Sequence, residues 1–153
     1  MSTRQLVVAL SLGAAGVLAL AGSAGAGADP TEFTSRAGMN GAQEVPGPGD
    51  PNGSGKAVVT VDTVTGDICF ELTVRNIEPA AAAHIHEAEK GSPGPVVVTL
   101  TPPATGSSSG CVTDLTQAQA IAADPSAYYV NVHNADFPDG AVRGQLHGRS
   151  DRS

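Results

Sequence analysis

Residues 68–75, Ile68-Cys69-Phe70-Glu71-Leu72-Thr73-Val74-Arg75, alternate without a break. Ile68, Phe70, Leu72 and Val74 point one way and Cys69, Glu71, Thr73 and Arg75 the other, which is the period of a strand with one buried face. Upstream, the short turn Thr65-Gly66-Asp67 joins this strand to a second run, Lys56 to Asp62, in which Ala57, Val59 and Val61 share a face. Two alternating runs about a Gly-containing turn read as a hairpin. Thr31 to Met39 is a weaker strand candidate, separated from the hairpin by a Gly- and Pro-rich surface loop, residues 47–55. Downstream, His84-Ile85-His86, Val96 to Leu100, Tyr128 to His133 and Ala141 to Leu146 continue the series of short strands. Thr101 to Gly110 reads as a Pro- and Ser-rich loop, and Thr116 to Ala123 as one short helix ending before Pro125. About six to eight short strands at this spacing predict a single all-β antiparallel sandwich or barrel. Its core should include Ile68, Phe70, Leu72, Val74, Val130, Val132 and Leu146.

The chain has 153 residues, and its first 28 read as a secretory signal. Arg4 precedes an apolar run from Leu6 to Leu20, and Ala24-Gly25-Ala26-Gly27-Ala28 offers cleavage after Ala26 or Ala28. The expected mature domain is 29–153, with its core at about 33–147, exported to the extracellular space and carrying no stable membrane anchor. It holds seven basic against fifteen acidic side chains. Such a balance repels phosphate backbones and excludes nucleic acid as a partner. Cys69 and Cys111 are the only cysteines. In an exported protein an even pair predicts one disulfide, worth about 3–4 kcal/mol for a loop of this length. Tying the outward face of the Cys69 strand to the Ser-rich loop, it should leave no free thiol.

Several motif matches carry no chemistry. Gly106-Ser107-Ser108-Ser109-Gly110 fits the G-x-S-x-G nucleophile pattern but lacks the α/β strand-to-helix setting that pattern needs, so it reads as a linker. Gly53-Ser54-Gly55-Lys56 is an incomplete phosphate loop, and Asn52-Gly53-Ser54 reads as a turn. The histidines differ. His84 and His86, two apart on a strand, project from one face. In Tyr128-Tyr129-Val130-Asn131-Val132-His133 the valines make the core face, so Asn131 and His133 point outward. If the two strands are neighbours, His84, His86 and His133 converge, and three imidazoles suit a copper or zinc ion. The plain alternative is a hydrogen-bonded polar patch. Glu87 projects away from His86 and is not counted as a ligand, and His147 reads as a solvated tail residue. Arg143 alternates outward from Val142, and Glu44 is the sole charge in its segment. A charge-assisted hydrogen bond between them would pin that segment to the last strand.

These residues also carry a family resemblance. Gly41-Ala42-Gln43-Glu44-Val45-Pro46, Ala83-His84-Ile85-His86, Gly94-Pro95-Val96-Val97, Tyr129-Val130-Asn131-Val132-His133 and Pro138-Asp139-Gly140-Ala141-Val142-Arg143-Gly144-Gln145-Leu146 resemble, in this order, the CHRD (chordin-type) domain of secreted proteins, here a microbial member. Ala88 and Ala141 depart from it, standing where a glycine and a glutamate are usual. The resemblance implies an extracellular β-sandwich, immunoglobulin-like or related, with no established catalytic role. The His-x-His pair is also similar to the copper ligands of copper–zinc superoxide dismutase, but four histidines are too few for the rest of that site. The expected function is therefore a non-enzymatic binding or structural module, holding copper or zinc through outward histidines. Its partner would be an extracellular protein or a cell-wall polymer. The competing reading is a small extracellular copper-dependent redox enzyme.

Overall fold

The computed structural model describes residues 31–148 of the protein. The expected signal segment lies outside the described residues. Nine strands and one α-helix follow in chain order: β1 (Glu32–Asn40), β2 (Ser54–Asp62), β3 (Asp67–Arg75), β4 (Ala82–Glu87), β5 (Val96–Leu100), β6 (Ser107–Thr113), α1 (Leu115–Ala123), β7 (Tyr128–His133), β8 (Val142–Gln145) and β9 (His147–Gly148). Every pairing is antiparallel, in the order β5-β4-β7-β8-β1-β2-β3-β6, with β9 beside β1. The eight long strands curl into a nearly closed barrel. At the seam the Ser108 hydroxyl on β6 donates to the Thr101 carbonyl just after β5, at 2.7 Å.

Alternation accounts for the interior. Ile68, Phe70, Leu72 and Val74 of β3, Val130 and Val132 of β7, and Leu146 after β8 are all buried, as the sequence predicts. Ala57, Val59 and Val61 of β2 and Ile85 of β4 join them. The hairpin turn is held by Asp62, whose carboxylate accepts from the backbone N–H groups of Val64 and Thr65 at 2.7 and 2.9 Å. Gly66 then takes φ +81°, a conformation open to glycine at little steric cost. Helix α1 begins at Asp114, whose side chain accepts from the Gln117 N–H, and it buries Ala118 and Ile121. None of the described helices is long and apolar enough to cross a membrane.

Two expectations are corrected. The Ser-rich segment is not all loop: residues 107–113 form β6 and pair along β3 from Asp67↔Thr113 to Thr73↔Ser107. Its serines and glycine are too small to print hydrophobic alternation on the sequence. Gly110 is small for a reason, because the Phe70 ring lies 3.0 Å from where its β-carbon would stand. The bridge expected between Cys69 and Cys111 is present, and it joins two strands rather than a strand and a loop, with α-carbons 4.0 Å apart at directly paired positions. The second correction concerns the outer face of β4, β7 and β8. It points away from the barrel, yet His86, Tyr129, Asn131, Arg143 and Gln145 are buried there. Backbone carbonyls of the segment after β4 close over it. Ala88 accepts from the Gln145 amide at 2.7 Å and Glu89 from the Arg143 guanidinium at 3.2 Å.

Candidate metal centre

Strands β4 and β7 are direct neighbours, with His84 opposite Asn131 and Ala82 opposite His133. This register gathers His84, His86 and His133, each offering a ring nitrogen within 4.8 Å of the others. His84 Nδ1 and His133 Nε2 are 3.2 Å apart. Two nitrogens bonded to one ion at about 2.05 Å and separated by that distance subtend about 103°, close to a tetrahedral angle. A tetrahedral site wants about 3.4 Å between ligand nitrogens, so the widest pair must draw together by rotation of an imidazole.

Two further ring nitrogens are tied to backbone. His86 Nδ1 lies 2.9 Å from the Gly94 carbonyl and His133 Nδ1 lies 3.0 Å from the Pro138 carbonyl. A carbonyl only accepts, so both Nδ1 atoms carry the proton and both Nε2 atoms present a lone pair. His86 Nε2 is buried and has no hydrogen-bond partner. An unpaired buried acceptor is uncommon and asks for an occupant. His84 Nδ1 supplies the hydrogen of its contact with His133, and moving that proton to Nε2 would free a third lone pair. Burial holds the His84 imidazole below the usual range, and the neighbouring His133 and His86 push it further the same way. Burial also lowers His133, partly offset by the Pro138 carbonyl. Both are therefore neutral at pH 7, the form that binds metal. Glu87 is exposed and outside the cluster, as its sequence position predicts, while His147 is exposed but belongs to the short strand β9 paired with β1, not to a tail beyond the last strand.

The sequence reading missed the shell behind the ligands. Tyr129 stacks on His86, ring centroids 4.7 Å apart and planes 9° from parallel. The Arg143 guanidinium carbon lies 3.4 Å from the Tyr129 ring centroid. Because β7 lies between β4 and β8, the phenol ring links a candidate ligand to a buried cation. Gly94 holds both rings, donating its N–H to the Tyr129 hydroxyl at 3.3 Å and accepting from His86. Tyr129 was findable, since it alternates onto the same face as Asn131 and His133. Gly94 carried no such signal.

Glu44 and Arg143 are both buried on this side of the barrel. The hydrogen bond expected between them is not formed: Glu44 Oε1 and Arg143 Nη1 have no partner, and no ion pair joins them. They act on each other through charge alone. Burial raises the Glu44 carboxyl to about 7 against the pull of Arg143 and of the Val45 backbone N–H. The carboxylate sits against Gly140, where any β-carbon would meet it.

Comparison with the curated proteins and with the solved structures finds no match. The family model for the CHRD domain spans residues 35–146, from the middle of β1 to the end of the barrel, and with it the His84, His86, Tyr129 and Arg143 face. This chain belongs to the CHRD domain family.

Proposed function

We propose that the protein is a secreted, non-enzymatic binding module whose outer barrel face holds one copper or zinc ion through His84, His86 and His133. One observation carries the reading: three ring nitrogens converge, and two of their imidazoles are locked by backbone carbonyls in the tautomer that presents Nε2 inward. All-imidazole ligation selects copper or zinc over calcium or magnesium, which prefer oxygen. His84 and His133 are only half-buried, so a fourth coordination position would face solvent and could receive water or a group from a partner. Export is supported by the signal-like residues 1–28 and by the disulfide, which persists in oxidising compartments.

The test is titration of untagged protein with copper(II) and zinc, alongside His84→Ala and His133→Ala variants. Wild type should bind one equivalent, and each variant should lose stoichiometric binding. Wild type that takes up neither ion would reduce the cluster to a hydrogen-bonded patch. A copper-loaded sample that dismutes superoxide would favour the redox enzyme instead.

A further inference from the structure

A row of cations crosses the opposite side of the barrel, on the outer face of β1, β2 and β3. Arg36 faces Val58 and Lys56 faces Gly38 across the β1–β2 ladder, while Lys56 faces Thr73 and Arg75 faces Ser54 across β2–β3. Each cation is therefore the diagonal neighbour of the next, one strand over and two residues along. Consecutive positions lie about 7–8 Å apart, and the row runs about 15 Å. All three residues are exposed, alternating with the buried Ala37, Ala57 and Val74. None of the hydrogen bonds or ion pairs among the described residues involves the side chain of Arg36, Lys56 or Arg75.

That arrangement is unfavourable, and Glu71, diagonal to Lys56 across β2–β3, offsets it only in part. Like charges in neighbouring positions on a sheet repel, and a chain with fifteen acidic side chains has ample means to pair them. The surface beside the row is also shaped. Lys56, Arg75, Ser54, Gly55 and Thr73 line a groove of about 420 Å³. Opposite Lys56, Gly38 leaves open space where any other residue would place a side chain.

We propose that this row binds a linear acidic polysaccharide, a polymer of uronic acid residues laid diagonally over β1–β3. Carboxylates along such a chain meet Arg36, Lys56 and Arg75 in charge-assisted hydrogen bonds. The hydroxyls of Ser54 and Thr73 meet the sugar hydroxyls between them. Glu71, exposed on the same face and diagonal to Lys56, repels a densely charged phosphate polymer but accepts hydrogen bonds from sugar hydroxyls. None of these residues belongs to the histidine cluster, so the site stands whether or not a metal binds.

The experiment measures binding of the full chain to polygalacturonate at low ionic strength, beside neutral galactan and inorganic polyphosphate. Wild type should bind polygalacturonate, leave galactan unbound and weaken as salt screens the charges. Lys56→Gln and Arg75→Gln should each bind about fivefold less tightly, and the double variant about twentyfold. His84→Ala should bind the polymer as wild type does. The proposal is overturned if wild type does not bind polygalacturonate, if the double variant binds it unchanged, or if polyphosphate binds as tightly. Loss of polymer binding in His84→Ala would move the site to the other face and equally overturn it.

Discussion

Glu44 is a carboxyl that the fold keeps dry, and stability should register it. Burial lifts its pKa from 4.5 in the open chain to about 7 in the folded domain, so between those values the folded state holds the extra proton. Stability attributable to Glu44 is then greatest below about pH 4.5 and declines as pH rises towards 7. Urea midpoints measured from pH 5 to pH 8 should fall for wild type and stay flatter for Glu44→Gln. The charge that acts on Glu44 is Arg143, which itself stacks on Tyr129. Removing it as Arg143→Met should cost about 3–5 kcal/mol at pH 8, where it abandons a buried carboxylate. A double-mutant cycle should give coupling of about 1–3 kcal/mol at pH 8 and much less at pH 5. Equal coupling at both values would mean the pair does not interact through charge.

At the scale of elements, the segment after β4 and the strand β6 each do a job their composition hides. Gly94 positions two rings from one residue, through its N–H and its carbonyl, and a β-carbon there would meet the Glu87 carbonyl. Gly94→Ala should displace this segment and weaken zinc binding about 10- to 100-fold while the barrel still folds. Calorimetric titration with a parallel thermal melt separates the two effects. Strand β6 has few apolar side chains to bury, and its attachment to β3 rests on backbone pairing and the Cys69–Cys111 bridge. Reduction should lower stability by about 3–4 kcal/mol. In hydrogen exchange the amides of β6 should gain most, since an edge strand released from its cross-link opens first. Uniform acceleration over all strands would contradict that assignment.

Over the whole molecule, an ion held between β4 and β7 links binding to folding, because the three histidines meet only when those strands pair. Zinc or copper at a hundred times its Kd should stabilise the domain by about 2.7 kcal/mol and raise Tm by roughly 10 °C. The shift should vanish in His84→Ala. A Tm indifferent to metal in wild type would remove the ion from the folded state. The two ends of the sheet, β5 and β6, are joined by the Ser108–Thr101 hydrogen bond rather than by a strand ladder, so their local stability should be low.

Local pattern settled most of the strands and their inward faces. A side chain two residues along a strand must share a face with the first, so the core residues of β2, β3 and β7 were legible in the chain, as was the shared face of His84 and His86. The pairing of Cys69 with Cys111 was legible as well, because no other cysteine exists. Strand β6 was not, since serine and glycine leave no hydrophobic imprint and its conformation comes from the ladder with β3. Nor was the burial of the outer face around Tyr129 and Arg143. Alternation says which way a side chain points, not what lies over it. Backbone carbonyls at Ala88, Glu89 and Gly94 cover that face, and a carbonyl's position follows from tertiary packing rather than residue type. The same holds for Glu44 and Arg143: the sequence supplied opposite charges, and only the packed barrel decided that they would be buried near each other without a hydrogen bond.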